Sequence, residues 1–200
     1  MKVEAAVFDI GNVLLLFDYM KAAWRLMDKN QLVELPERTR IVKAKHDYES
    51  GLLNRAEFLD IVRPEFRDVG PIEDFVAIWQ DIFEENRPMT DLARRLAGRM
   101  PVFLISNISD IHIEFIRHRY DVFSIFRDAV YSCEACYMKP DERIFEHAIR
   151  RFGIDPAAAL YFDDMADNCE SAARVGFRVH HYQHENHPAA EEWTAGQLAG

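Results

Sequence analysis

Short, almost wholly apolar runs recur along the chain, each stopping at a small or acidic polar residue, with amphipathic stretches between them. Val3 to Phe8 stops at Asp9, Pro101 to Ile105 at Ser106-Asn107, and Ala159 to Phe162 at Asp163-Asp164. Runs this short, apolar at successive positions, predict strands buried on both faces of a sheet. Weaker strands are expected over Ala129–Ser132 and Phe177–Tyr182. Between them the apolar period becomes helical. Pro88–Ala97 has proline near its start and Gly98 just past its end. Asp110–Tyr120 carries Ile111, Phe115 and Ile116 at helical spacing, and Asp141–Phe152 carries Ile144, Phe145, Ala148 and Ile149 before Gly153. Ala166–Val175 precedes Gly176, and a last helix is read over Pro188–Gly200. Strand and helix in alternation from about residue 88 specify an α/β fold with a doubly wound parallel sheet.

The stretch from Asp18 to Asn86 breaks the alternation. No strand is evident in it. Helices are predicted over Tyr19–Met27, Pro36–Tyr48, Asn54–Val62 and Ile72–Glu85, with Asn54 and Glu57 spaced as a capping box. The expectation is an α/β core built from residues 1–17 and 87–200, with a helical module of residues 18–86 inserted after the first strand. Trp24, Trp79 and Phe83 are read as packing residues of that module.

Composition narrows the function classes. The chain has 200 residues, 49% apolar and 29% charged, enough for one core plus a small module. Its 24 basic and 34 acidic residues leave a net charge of −10, which argues against a nucleic-acid partner, because phosphate backbones need clustered Lys and Arg. No apolar run approaches the ~20 residues of a membrane span, so no membrane association is expected. The opening residues are too acidic for a secretory signal, and the three cysteines are an odd number; a cytoplasmic setting is expected. Cys133 and Cys136 form a lone CxxC without the context of a redox or zinc motif, and are read as coincidence. His180, His181, His184 and His187 are read as a solvated loop.

The chemistry is expected at the strand ends. In open parallel sheets, ligands bind beyond the carboxyl ends of the strands. Asp9, Ser106, Asn107, Asp163 and Asp164 would gather there. Carboxylates gathered without a cation repel one another, and a hard divalent ion removes that conflict. Mg²⁺ is held by one or two carboxylates plus phosphate and water, so the cluster predicts Mg²⁺ together with a small phosphorylated substrate. Lys139 precedes Pro140 at the start of a helix and supplies a nearby cation.

Four segments together resemble the motifs of the haloacid dehalogenase-like (HAD) hydrolases, in the same order: Phe8-Asp9-Ile10-Gly11-Asn12-Val13-Leu14; Leu104-Ile105-Ser106-Asn107; Met138-Lys139-Pro140; and Phe162-Asp163-Asp164 with Asn168. The opening motif is similar to that of the bacterial α-D-glucose-1-phosphate phosphatase branch, and residues 18–86 are placed like that superfamily's helical cap. The resemblance implies roles. Asp9 would be the nucleophile, forming an aspartyl-phosphate that water hydrolyses. Ser106 and Asn107 would hold phosphoryl oxygens, and Lys139 would neutralise charge. Asp9, Asp164 and the carbonyl of Gly11 would ligate Mg²⁺, with Asp163 and Asn168 behind them. A sugar phosphate is the implied substrate class.

One position departs from the common pattern. Most phosphatases of the superfamily carry a second aspartate, a general acid, two residues after the nucleophile. Here that residue is Gly11. Asp18, His46 and Asp47 are candidate substitutes. Two other readings stay open: a metal-independent 2-haloacid dehalogenase, which leaves Asp163-Asp164 unexplained, and a catalytically weak phosphate-binding regulatory module.

Overall fold

The computed structural model describes residues 2–26, 39–66 and 70–200. Its main sheet has five strands, labelled in chain order with all others: β1 (Ala5–Phe8), β4 (Val102–Ser106), β5 (Asp128–Tyr131), β6 (Ala159–Asp163) and β7 (Arg178–His181). They lie in the order β5-β4-β1-β6-β7 and every pairing is parallel. β1 is therefore central. Phe8 is level with Leu104 of β4 on one side and Phe162 of β6 on the other, so Asp9 and Asp163 emerge at the same height.

Side chains of β1 alternate between the two faces. Ala6 and Phe8 join Leu104, Leu160 and Phe162 against α5 (Arg87–Ala97), α6 (Asp110–Arg119) and α10 (His187–Ala199). Ala5 and Val7 join Phe103, Ile105 and Tyr161 against α8 (Glu142–Phe152) and α9 (Ala166–Arg174). Phe8 stacks on Phe162 with ring centroids 4.9 Å apart, and both are wholly buried. Burial of a side chain this size is worth about 1.5–3 kcal/mol. The apolar core thus fixes β1 between its neighbours, and with it the place where the chain turns polar.

The last helix packs firmly. Ala190 and Thr194 are buried, and Trp193 meets Phe162 edge-on at 5.5 Å.

Residues between β1 and α5 form four described helices: α1 (Tyr19–Leu26), α2 (Thr39–Glu49), α3 (Arg55–Val62) and α4 (Ile72–Gln80). Met27 and Pro36 to Arg38, included in the expected helices, lie outside the described residues. The Asn54–Glu57 capping box forms: Asn54 Oδ1 accepts from the Glu57 amide at 3.1 Å, and Glu57 Oε2 accepts from the Asn54 amide at 2.8 Å. The helices bury a cluster of their own, including Leu26, Tyr48, Phe58, Phe75 and Trp79. Among the described residues, Ile111 of α6 is the one member from beyond this stretch.

Two expectations are corrected. The helix predicted over Ile72–Glu85 ends at Gln80, and Phe83–Glu85 is strand β3, antiparallel to β2 (Leu15–Phe17). Asp81 takes φ −86° and ψ 55°, which ends the helix. Bonds from the Asp18 amide to the Ile82 carbonyl (3.1 Å) and from the Asn86 amide to the Leu14 carbonyl (3.0 Å) extend the ribbon. A three-residue strand whose partner is far away in the chain leaves no local pattern. Trp24, expected to pack, is instead 63% exposed. No helix among the described residues is long and apolar enough to cross a membrane.

Candidate active site

At the carboxyl end of the sheet, Asp9, Asp163 and Asp164 each present a carboxylate oxygen within 4.8 Å of the others. Lys139, 5% exposed, reaches between two of them. Its Nζ lies 2.6 Å from Asp163 Oδ2 and 2.8 Å from Asp9 Oδ1. The first contact is a hydrogen bond. The second is an ion pair, and Asp9 Oδ1 is a buried oxygen without a hydrogen bond.

The three carboxylates are not equivalent. Asp163 is fully buried and saturated. Oδ2 accepts from Lys139 and, at 2.5 Å, from the Tyr161 hydroxyl, while Oδ1 accepts from the Met165 amide and Asn168 Nδ2, both at 2.9 Å. Burial acts to raise its pKa, but the Lys139 charge and these donors bring it below the ordinary aspartate value. Asp9 goes the other way: burial raises its pKa beyond what Lys139 offsets, and the Asp163 charge adds to the rise. Asp164 is only partly buried and accepts from Asn12 Nδ2 at 3.0 Å; burial raises its pKa too. Asp9 and Asp164 therefore keep open lone pairs, whereas Asp163 does not. Three carboxylates face one ammonium, through oxygen donors alone. That set fits a hard divalent cation.

Ser106, the last residue of β4, is buried, and its hydroxyl helps draw the Asp9 pKa down. Asn107 pairs reciprocally with the Lys139 backbone: its Nδ2 donates to the Lys139 carbonyl and its Oδ1 accepts from the Lys139 amide, both at 2.9 Å. Asn107 thus locks the segment that carries the lysine, with one Nδ2 hydrogen to spare.

These residues line a cavity of about 240 Å³. Asp9, Gly11, Asn12, Ser106, Asn107, Lys139, Asp164 and Asn168 form its floor. Tyr19 of α1 and Lys45 and Glu49 of α2 line it as well, with Phe17 and Phe83 from the ribbon and His112 from α6. All of the anticipated strand-end residues except Asp163 line it, and Asp163 lies directly behind.

A family model for the haloacid dehalogenase-like hydrolases matches residues 3–176. The chain belongs to this family. Over 180 residues the HAD-like hydrolase is 25% identical to a sesquiterpene phosphatase of Aspergillus oryzae, covering 86% of each chain. A HAD family enzyme of Bacteroides thetaiotaomicron, solved with magnesium and inorganic phosphate, superposes with a TM-score of 0.80 at 24% identity, covering 90% of this chain and 94% of that one. A dehalogenase structure superposes with a TM-score of 0.64 at 17% identity, covering 96% of each chain.

The HAD-like hydrolase does not bring the proposed acid substitutes into its cavity. Asp18 is exposed and its Oδ1 accepts from the Met20 amide at 2.8 Å, at the start of α1. Asp47 pairs with Lys43 and His46 on the outer side of α2, and none of these lines the cavity. Sequence reasoning missed Tyr19, Lys45, Glu49, Asn12 and His112. Lys45 and Glu49 are spaced i, i+4 across the end of the helix predicted over Pro36–Tyr48, which extends to Glu49 in the structure; such spacing is shared by many solvated pairs. Asn12 had a clearer sign, directly after a glycine at a strand end; it takes the left-handed conformation with φ 52°. Away from the cavity, the three cysteines are free thiols, Cys133 half-buried and Cys136 exposed. The histidines do not converge: His180 packs on Trp193, His187 pairs with Glu191, and His181 Nε2 lies 2.8 Å from the Asp164 carbonyl oxygen.

Proposed function

We propose that this HAD-like hydrolase is a Mg²⁺-dependent phosphatase acting on a small phosphorylated metabolite, a sugar phosphate, through an aspartyl-phosphate on Asp9. The observation that carries the reading is the inequality of the carboxylates. Asp163 is saturated by four donors, and Asp9 and Asp164 stay open toward one cavity beside a buried lysine. Phosphatase activity in the Aspergillus oryzae relative and the magnesium and phosphate bound to the Bacteroides thetaiotaomicron enzyme support it. The grouped acids favour this over a metal-independent dehalogenase.

Asp9, the Gly11 carbonyl and Asp164 would hold Mg²⁺, which supplies positive charge against the phosphoryl oxygens and keeps Asp9 ionised. The ionised Asp9 oxygen attacks phosphorus as the ester oxygen departs. Ser106 Oγ–H and the spare Asn107 N–H hold phosphoryl oxygens through the inversion. Lys139 holds Asp9 at attacking distance and balances its charge. Asp163, Tyr161 and Asn168 fix the lysine in turn. Water then attacks the acyl phosphate, releasing phosphate and restoring Asp9.

The unit of residues 18–86 serves as a cap over the core of residues 1–17 and 87–200. It excludes water and reads the part of the substrate beyond phosphate. A cavity of about 240 Å³ suits a compact ester, and the Tyr19, Lys45 and Glu49 wall suits a hydroxylated one. A reducing, cytoplasmic setting suits three free cysteines.

The test is phosphate release from sugar phosphates, nucleotides, a prenyl phosphate and an aryl phosphate, with and without Mg²⁺, for the wild type and Asp9→Asn. Release by the wild type only with Mg²⁺, highest with a sugar phosphate, and none by the variant is expected. Turnover by Asp9→Asn, or halide release from a 2-haloacid without metal, overturns the assignment.

A further inference from the structure

The phosphatase reading leaves the leaving oxygen without a proton donor, because position 11 is glycine. The structure shows why a side chain is absent there. A Cβ on Gly11 would lie 2.8 Å from Phe17 Cε1, so the ring of β2 occupies the space such an acid would need. The donor must come from another wall of the cavity.

The titratable groups lining that cavity sort themselves by their bonds. Asp9 and Asp164 are the open pair of the floor, and Lys139 is bound to Asp9 and Asp163. His112 is fully engaged: Nε2 faces the Trp79 carbonyl oxygen at 3.3 Å, which only an N–H can satisfy, so Nδ1 is left to accept from the Ser109 hydroxyl at 3.4 Å. The Tyr19 hydroxyl donates to Glu49 Oε1 at 3.3 Å, and burial together with the Glu49 charge pushes its pKa well above the ordinary tyrosine value. Glu49 is held by Tyr19 and Lys45 as an acceptor. Among the described residues of the cavity, Lys45 is left. Its Nζ donates to Glu49 Oε2 at 2.7 Å and lies 4.8 Å from the centre of the Tyr19 ring. Its side chain is 31% exposed and lines the cavity. The ammonium has three protons, and Glu49 takes one.

Building on the phosphatase reading, we propose that Lys45, aimed by Glu49, is the catalytic proton donor to the leaving oxygen and the acceptor of the water proton in the second step. The bookkeeping closes. In the first step the Asp9 carboxylate bonds to phosphorus, the P–O ester bond breaks, and the departing alkoxide takes a proton from Lys45, leaving a neutral amine. In the second step that amine takes a proton from water as the oxygen bonds to phosphorus. Phosphate leaves, and Asp9 and the ammonium are restored. Glu49 is a positioning residue. Its backbone is anchored too, since its carbonyl accepts from the Ser132 hydroxyl, which itself accepts from the Ile108 amide at 3.0 Å. α2 is thereby tied to Ile108, which directly follows Asn107 and lies two residues beyond Ser106 at the end of β4.

The experiment is single-turnover cleavage with enzyme in excess and Mg²⁺ present, comparing an alkyl phosphate with a nitrophenyl phosphate. Wild type, Lys45→Met and Lys45→Arg are measured. An alkoxide needs a proton and a nitrophenolate does not. Both variants should lose about 10²–10⁴-fold on the alkyl ester and far less on the aryl ester. Lys45→Arg keeps the charge but holds its proton too tightly to transfer it, so it should fail like Lys45→Met. Aryl ester cleavage by each variant shows that its site is folded. Equal losses on both esters, no loss on the alkyl ester, or full rescue by Lys45→Arg overturns the assignment. Failure of the wild type on both esters would instead remove the phosphatase reading itself.

Discussion

The aromatic ring of Phe17 fills the space beside Gly11, so that a methyl group added to the glycine would meet Cε1 at 2.8 Å. Phe17 belongs to the β2–β3 ribbon and packs edge-on against Tyr19 at 5.4 Å. The glycine and the ribbon are therefore one device. Gly11→Ala should force the ring to swing and, because Phe17 is 37% exposed and can move, cost about 1 kcal/mol, the low end of the overpacking range. Phe17→Ala removes the clash, so the double variant should show a coupling of about 1 kcal/mol relative to the two single changes. Urea denaturation of the four proteins measures it. Strict additivity would mean that the two positions do not share space.

Lys139 neutralises two buried carboxylates at once. Its replacement strands both. Lys139→Met should destabilise the protein by about 3–5 kcal/mol, the cost of breaking a buried pair from one side. At this chain length that lowers Tm by roughly 10 °C. Combining it with Asp163→Asn removes one of the stranded charges, so the double variant should melt above Lys139→Met alone. Calorimetry in metal-free buffer checks the order.

How far the sequence reached follows from the distance over which each signal acts. The strands that carry Asp9, Ser106 and Asp163 were legible, because both faces of a central strand are buried and its apolar run is unbroken. Gly153, with φ 64°, ends α8 as expected, because a helix stop is a local event. Phe83 was misplaced on a helix, since its strand exists only through pairing with Leu15–Phe17, some seventy residues earlier. The floor of the cavity was legible for the same reason as the strands. Its other side was not: Tyr19 and Lys45 read as ordinary helix residues, and Glu49 as the residue just past a helix end, until α1 and α2 bring them to the cavity that Asp9 also lines.

Asn12 donates to Asp164 Oδ2 at 3.0 Å and so fixes the rotamer of one open carboxylate. Groups that orient a metal ligand typically control affinity by 10- to 100-fold. Asn12→Ala should weaken Mg²⁺ within that range, with little change in saturated turnover. The left-handed backbone at Asn12 adds a strain cost to alanine, so Asn12→Gly is the cleaner comparison. The half-saturating Mg²⁺ concentration for phosphate release is the readout. An unchanged value in both variants would place Asp164 away from the metal.

His112 ties α6 to α4 through its bond to the Trp79 carbonyl, with Ser109 on its other nitrogen, and it does so as a neutral ring. Burial is the main cause of its low pKa, pushed down to about 4; the Lys45 charge adds to the fall, while the Trp79 carbonyl and the Asp110 charge oppose it. The sign follows from proton counting. Between pH 6.5 and about 4 the unfolded chain binds a proton at this histidine that the folded chain does not. Stability from this residue is therefore complete above pH 6.5 and falls as the pH drops. The difference between the two values amounts to about 3 kcal/mol at pH 4. Carboxylates titrate in the same range, so the measurement is a difference between proteins. Denaturant midpoints of wild type and His112→Gln, followed from pH 7.5 to 4, should converge as the pH falls, by roughly that amount. Parallel curves would mean that the ring is protonated equally in both states, and that α4 is held against α6 by other contacts.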